Sequence, residues 1–185
     1  MNHFIDGGSN IGQTFDDFLT RTNMFDGWRV WCLEPSPRHV PALMERAKLL
    51  RDRYHLVICP FGISARSGFF NFFEKDDPRG DSFEAVTWSD HEVRNSPSSL
   101  PIVAAAVGID DFLSFLDEPQ QVVLKLDVEG EEYRILDALL RSPRLGMVSE
   151  ILVEWHGIGS TPPATREQLE AGFAAAGKPL GRWAF

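Results

Sequence analysis

Phe4-Ile5-Asp6-Gly7-Gly8-Ser9-Asn10-Ile11-Gly12 opens the chain with a short apolar run that ends in an acid and breaks into glycines. Apolar runs of this kind bounded by glycine read as buried strands, and glycine lets the backbone turn sharply and approach another group closely. Ile11, Phe15, Phe18 and Leu19 follow at helical spacing, so the stretch reads as strand, tight loop and helix. The start of that helix leaves backbone N–H groups unpaired and able to meet an anion. This is a nucleotide-type loop of an α/β fold, and a tight turn without a ligand is its alternative reading.

The spacing narrows the ligand. A dinucleotide fingerprint needs G-x-G-x-x-G, whereas Gly7 and Gly8 are adjacent and the next glycine is Gly12. An acid followed by x-G-x-x-x-G suits S-adenosyl-L-methionine instead. Asp6 is then expected to face the ammonium end of the methionine moiety, with Gly7, Gly8, Ser9, Asn10 and Gly12 lining the donor. Trp28-Arg29-Val30-Trp31-Cys32-Leu33 reads as a second buried strand and ends on Glu34. A carboxylate there, roughly 20 residues beyond the glycine loop, receives ribose hydroxyls in a βαβ unit. NAD and S-adenosylmethionine share that ribose, so Glu34 does not separate them.

Glu34-Pro35-Ser36-Pro37 ends the strand, and Ser36 as N-cap with Pro37 at the first helical position predicts a helix carrying Val40, Leu43, Met44, Ala47 and Leu50 on one face. Arg38, Glu45, Arg46 and Lys48 form its solvated face, and His39 is grouped with them. Leu56 to Cys59 reads as a third strand, and the loop Pro60 to Ser64, with Gly62 and Ile63, is placed to hold the adenine. Gly68 to Phe73 is a strand with aromatic residues on both faces, expected to be buried or covered. Residues 74–101, rich in Asp, Ser, Pro and Gly apart from a patch at Phe83 to Trp88, form a loop-rich insertion in a single domain spanning 1–185. It is expected to be either disordered or a lid facing the substrate.

Val122-Val123-Leu124-Lys125-Leu126-Asp127-Val128-Glu129-Gly130-Glu131-Glu132 again runs an apolar strand into carboxylates. A helix with Tyr133, Leu136 and Leu140 inward then leads to the strand Ile151 to Val153 and to Glu154-Trp155-His156-Gly157. Open parallel sheets bind ligands outside the carboxyl ends of their strands, so Asp6, Glu34, Asp127, Glu129, Glu154 and His156 are expected to converge. Glu131 and Glu132 are assigned to the first helical turn, where negative charge is stabilised without any ligand. Lys125, inside an apolar strand, needs a carboxylate partner such as Asp127 or Glu154.

In this order and at these distances, Ile5 to Gly12, Glu34 to Pro37, Lys125 to Glu132 and Leu152 to His156 resemble the successive motifs of the FkbM family of S-adenosylmethionine-dependent methyltransferases. The Lys-x-Asp-x-Glu-Gly motif is the most specific of them. The resemblance implies a Rossmann-like class I methyltransferase fold, a mainly parallel sheet with helices on both faces, the donor over the first two strands, and O-methylation. Gly7 departs from the small apolar residue more usual at its place, and the chain begins directly on the first strand. Thr165-Arg166-Glu167-Gln168 reads as a capping box for a helix ending at Gly177. Only Pro179 to Phe185 then remain for a last strand, so a sheet truncated at both ends and without the usual antiparallel hairpin is expected.

The chemistry of methyl transfer to a hydroxyl makes His156 a natural base, with Asp127 or Glu129 able to serve instead. No metal is assigned, and a divalent cation on Asp127, Glu129 and Glu154 is the alternative. A net charge of −9 and the absence of a basic, aromatic-studded patch argue against nucleic acid as partner. No run of membrane-spanning length and no signal peptide are visible, so a cytoplasmic location is expected. Cys32 and Cys59 are expected as a reduced, buried pair. The expected acceptor is a small molecule or glycan, and oligomeric state is not readable. A non-catalytic donor-binding module and, behind it, an NAD-type oxidoreductase are the competing functions.

Overall fold

The computed structural model describes residues 1–17, 26–85, 87–88, 94–95, 100–116 and 121–183. Strands β1 (His3–Gly7), β2 (Arg29–Leu33) and β3 (His55–Cys59) alternate with helices α1 (Gln13–Asp17) and α2 (Val40–Leu50). β4 (Gly62–Ser64), β5 (Gly68–Phe72), the two-residue strands β6 (Thr87–Trp88) and β7 (Arg94–Asn95), and β8 (Ile102–Gly108) follow, the last running straight into α3 (Ile109–Phe115). The chain continues through β9 (Val122–Leu126), α4 (Glu132–Leu140), β10 (Glu150–Val153), β11 (Gly157–Ile158), α5 (Arg166–Ala175) and β12 (Gly181–Arg182).

Six strands form one sheet in the order β12-β10-β9-β1-β2-β3, with every pairing parallel. The fold is therefore Rossmann-like α/β. Among the described residues this sheet has no antiparallel strand. No described helix is long and apolar enough to cross a membrane.

Side chains alternate across a strand, and the alternation sorts the core into two layers. Phe4, Val30, Cys32 and Val123 face Phe15 of α1 and Leu43 and Ala47 of α2. Ile5, Trp31, Leu33, Leu124 and Leu126 face α3, α4 and α5 through Phe112, Leu113, Ile135, Leu136, Leu139, Leu169 and Phe173. Cys32 and Cys59 belong to opposite layers, are buried and remain free thiols. Thr165 caps α5 through the expected capping box, its hydroxyl accepting from Gln168 N while the Gln168 side chain returns to Thr165 N. Thr165→Ala is expected to lower stability by about 1 kcal/mol, a shift of about 3 °C for a chain of this size, read by thermal denaturation.

Several local expectations need correction. α2 starts at Val40 rather than beside Ser36, with no side-chain cap, because Ser36 turns its hydroxyl to Asp81 instead. Met44 is half exposed, so the apolar face of α2 is narrower than the periodicity suggests. His39 is buried, 3.6 Å from Glu34 and 3.7 Å from Asp81, not on the solvated face. The stretch read as a loop after β3 contains β4, which pairs with β8 in a second sheet of order β4-β8-β5. Phe69 on β5 is exposed, since that sheet covers one face only. Tyr133 and Leu140 pack against the core as expected but are only partly buried, and Ile135 and Leu139 join Leu136 as buried apolar residues of α4. Phe18, Leu19, Ser96 to Ser99 and Phe185 lie outside the described residues.

Candidate active site

The parallel register builds the first part of the site. Asp6 and Lys125 are paired neighbours on β1 and β9 and point to the same face. Lys125 Nζ lies 2.9 Å from Asp6 Oδ1, 3.2 Å from Asp127 Oδ2 and 3.0 Å from the Gly8 carbonyl oxygen, with the Trp183 ring behind it. Lys125 thus pairs with Asp127, as one of the expected partners, and with Asp6, which was not among them; Glu154 stays apart. Both Asp6 oxygens are sealed from solvent and take no hydrogen bond of ordinary geometry. Burial alone would pull the Lys125 amine down, but Asp127 and Asp6 outweigh it and hold the ammonium above the ordinary lysine value.

The glycine loop closes over this pair. Gly8 adopts φ 79°, and a Cβ there would stand 1.8 Å from the Asp127 carbonyl oxygen. The close approach it permits is to the end of β9. Asn10, also left-handed at φ 48°, donates its N–H to Glu34 Oε2 at 2.8 Å, and Ser36 N donates to Glu34 Oε1 at 2.7 Å. The Glu34 carboxylate therefore staples the loop to the end of β2, and each oxygen keeps a second lone pair. Ser9 turns its hydroxyl back to the Asp6 carbonyl. Ile63 is core beneath Gly7, and Gly62 packs between the Phe83 and Pro35 rings.

At the ends of β9 and β10 the second part gathers. His156 Nε2 stands 3.4 Å from Glu129, 3.8 Å from Glu154 and 3.9 Å from Asp127, while Nδ1 meets Glu132 at 3.0 Å. Glu132 is wholly buried and also accepts from the N–H groups of Val128 and Gly130 at 2.8 Å. It is a site residue that the helix-start reading missed. The sequence carried no signal for it, because a glutamate in a first helical turn already has a reason to be there. Asp127, Glu129, Glu154 and His156 converge as expected; Asp6 joins them through Lys125, and Glu34 lies on the far side of the glycine loop.

Electrostatics follow from this crowding. Burial would lower the His156 imidazole, but Glu132, Glu129 and Asp127 raise it to about 10. Burial pushes Glu129 up to about 7, with Asp127 and Glu132 adding to the shift and His156 and Lys75 opposing it. Glu154 is raised by burial and by Asp127.

The insertion contributes directly. Lys75 is buried and donates to Ser82 Oγ and Thr87 Oγ1, each at 3.0 Å, and the Thr87 hydroxyl donates to Glu129 Oε2 at 3.3 Å. Burial draws the Lys75 amine down to about 8. Asp81 binds Arg38, Ser36 Oγ and the Lys75 N–H, fastening the insertion to the turn after β2. β6 pairs with β11 just beyond His156. The described part of this segment is packed onto the site rim.

No curated protein and no solved structure matches the chain. The sequence model of the methyltransferase FkbM domain matches residues 6–174, from the acid that closes β1 to the last turn of α5. That span holds the glycine loop, Glu34, the carboxylates after β9 and His156, and the chain belongs to the FkbM family of methyltransferases.

Proposed function

We propose that the chain transfers the methyl group of S-adenosylmethionine to a hydroxyl of a small-molecule or glycan acceptor. The observation that carries this reading is the charge imbalance at the carboxyl edge: Asp6, Asp127, Glu129, Glu132 and Glu154 face Lys125, His156 and, behind Glu129, Lys75 as near cations among the described residues. A donor bearing a sulfonium and an ammonium complements such a surface.

When bound, S-adenosylmethionine supplies a methyl carbon that passes to the acceptor oxygen while the carbon–sulfur electron pair returns to sulfur, leaving S-adenosylhomocysteine. The chain's own contribution is chiefly placement. Glu34 and Pro35 with Gly62 and Ile63 would take the adenosine side, Gly7 to Asn10 and Gly12 the middle, and Asp6 with Asp127 the methionine end. The acceptor hydroxyl must lose a proton, and Asp127, Glu129 and Glu154 are carboxylates in reach of it. His156 Nε2 stands 3.4, 3.8 and 3.9 Å from Glu129, Glu154 and Asp127, and the proposed base is one of these four groups.

Calorimetric titration with S-adenosylhomocysteine, with NADH as control, tests the reading. Micromolar binding of the first alone is expected, weakened about tenfold, or about 1.4 kcal/mol, in Glu34→Ala. Equal affinity for NADH, or no binding of either, would overturn it.

A further inference from the structure

Three ligand atoms of mixed type meet where β9 and β10 end. One carboxylate oxygen each from Asp127 and Glu129 and one ring nitrogen of His156 all lie within 4.8 Å of one another. Two ligands about 2.2 Å from a cation stand about 3.1 Å apart at a right angle and about 3.6 Å apart at a tetrahedral one. The 3.4 and 3.9 Å from His156 Nε2 to Glu129 and Asp127 approach those edges to within a few tenths of an ångström.

His156 supplies an independent observation. Its side chain is 3 % exposed, and Nε2 makes no hydrogen bond to any described residue while pointing at three carboxylates. A bare lone pair aimed at that much negative charge is repelled, so Nε2 must carry a proton or a metal ion. Nδ1 is already held by Glu132, itself fixed by two backbone N–H groups. Handing the far ring nitrogen to a carboxylate is how metal-bound histidines are oriented.

We propose that Asp127, Glu129 and His156 Nε2 bind one divalent cation of the Mn2+ type. Carboxylates favour Mg2+, Ca2+ and Mn2+, whereas imidazole favours first-row transition metals, and Mn2+ is common to both preferences. Its remaining positions suit an acceptor with two adjacent oxygens, a catechol or a vicinal sugar diol, with Glu154 left to take the proton. That acceptor class rests on the methyltransferase reading; the cation site does not.

The test is a titration of the full chain with Mn2+, followed by the paramagnetic resonance signal of the free ion. One Mn2+ per chain at micromolar affinity is expected, displaced by excess Mg2+, weakened at least about tenfold in Asp127→Asn and in His156→Gln, and unchanged in Glu45→Gln on exposed α2. Circular dichroism identifies a variant that fails to fold, and the remaining one then decides. No bound ion up to millimolar Mn2+, or unchanged affinity in the folded ligand variants, overturns the site. S-adenosylhomocysteine binding on the same sample keeps the two readings apart: donor binding without Mn2+ removes only the cation, and Mn2+ without donor binding removes only the donor assignment.

Discussion

Lys125→Met is expected to lower the melting temperature by about 10 °C. The substitution leaves Asp6, sealed in the sheet, facing no cation at 2.9 Å, and leaves Asp127 without its partner at 3.2 Å. Removing one member of a buried ion pair costs about 3–5 kcal/mol, because the other charge stays desolvated; in a chain of this length each kcal/mol is about 2–4 °C. The double variant Asp6→Asn/Lys125→Met should recover part of the loss, since it removes the stranded charge as well. Thermal denaturation of the set measures this directly, and a single variant within about 2 °C of the parent would falsify the pairing.

Gly8→Ala comes next in size. Its Cβ would lie 1.8 Å from the Asp127 carbonyl oxygen and 2.8 Å from that carbonyl carbon, both backbone atoms that no side-chain rotation can clear. Gly27 provides the comparison, because its φ of 78° is nearly the same but nothing lies within 4 Å of an added Cβ. Gly27→Ala should therefore cost only the left-handed strain, about 1–2 kcal/mol. Gly8→Ala should cost at least about 2 kcal/mol more, and where it still folds it should displace Asp127 and abolish S-adenosylhomocysteine binding. Urea denaturation of both variants checks the difference; equal losses would mean that the end of β9 gives way freely.

The strands that end in acids were legible because an apolar run closing on Asp6, Glu34 or Asp127 signals itself without any knowledge of its neighbours. Of the partners of Lys125, Asp127 was legible and Asp6 was not, since Asp6 becomes adjacent only once β1 and β9 are known to pair in register. β8 escaped notice through its Ala104-Ala105-Ala106 centre, which lacks the branched and aromatic residues that mark a strand. His39, between Glu34 and Asp81, looked like surface because the turn that buries it depends on Asp81, more than forty positions away in an irregular segment. Lys75 and Thr87 had no periodicity to set them apart. Their places are fixed by Ser82 and Glu129, and those contacts exist only in the folded chain.

The Lys75–Thr87–Glu129 chain has a consequence for anyone wishing to redirect the enzyme. Exchanging the stretch between β5 and β8 for that of a relative is the obvious route to a new acceptor, as this is the most irregular part of the sequence. Such a graft would also remove a buried amine and a hydroxyl from behind Glu129, so preference and turnover would change together. A transplant that keeps Lys75, Ser82 and Thr87 and varies only their surroundings is the one that can separate the two.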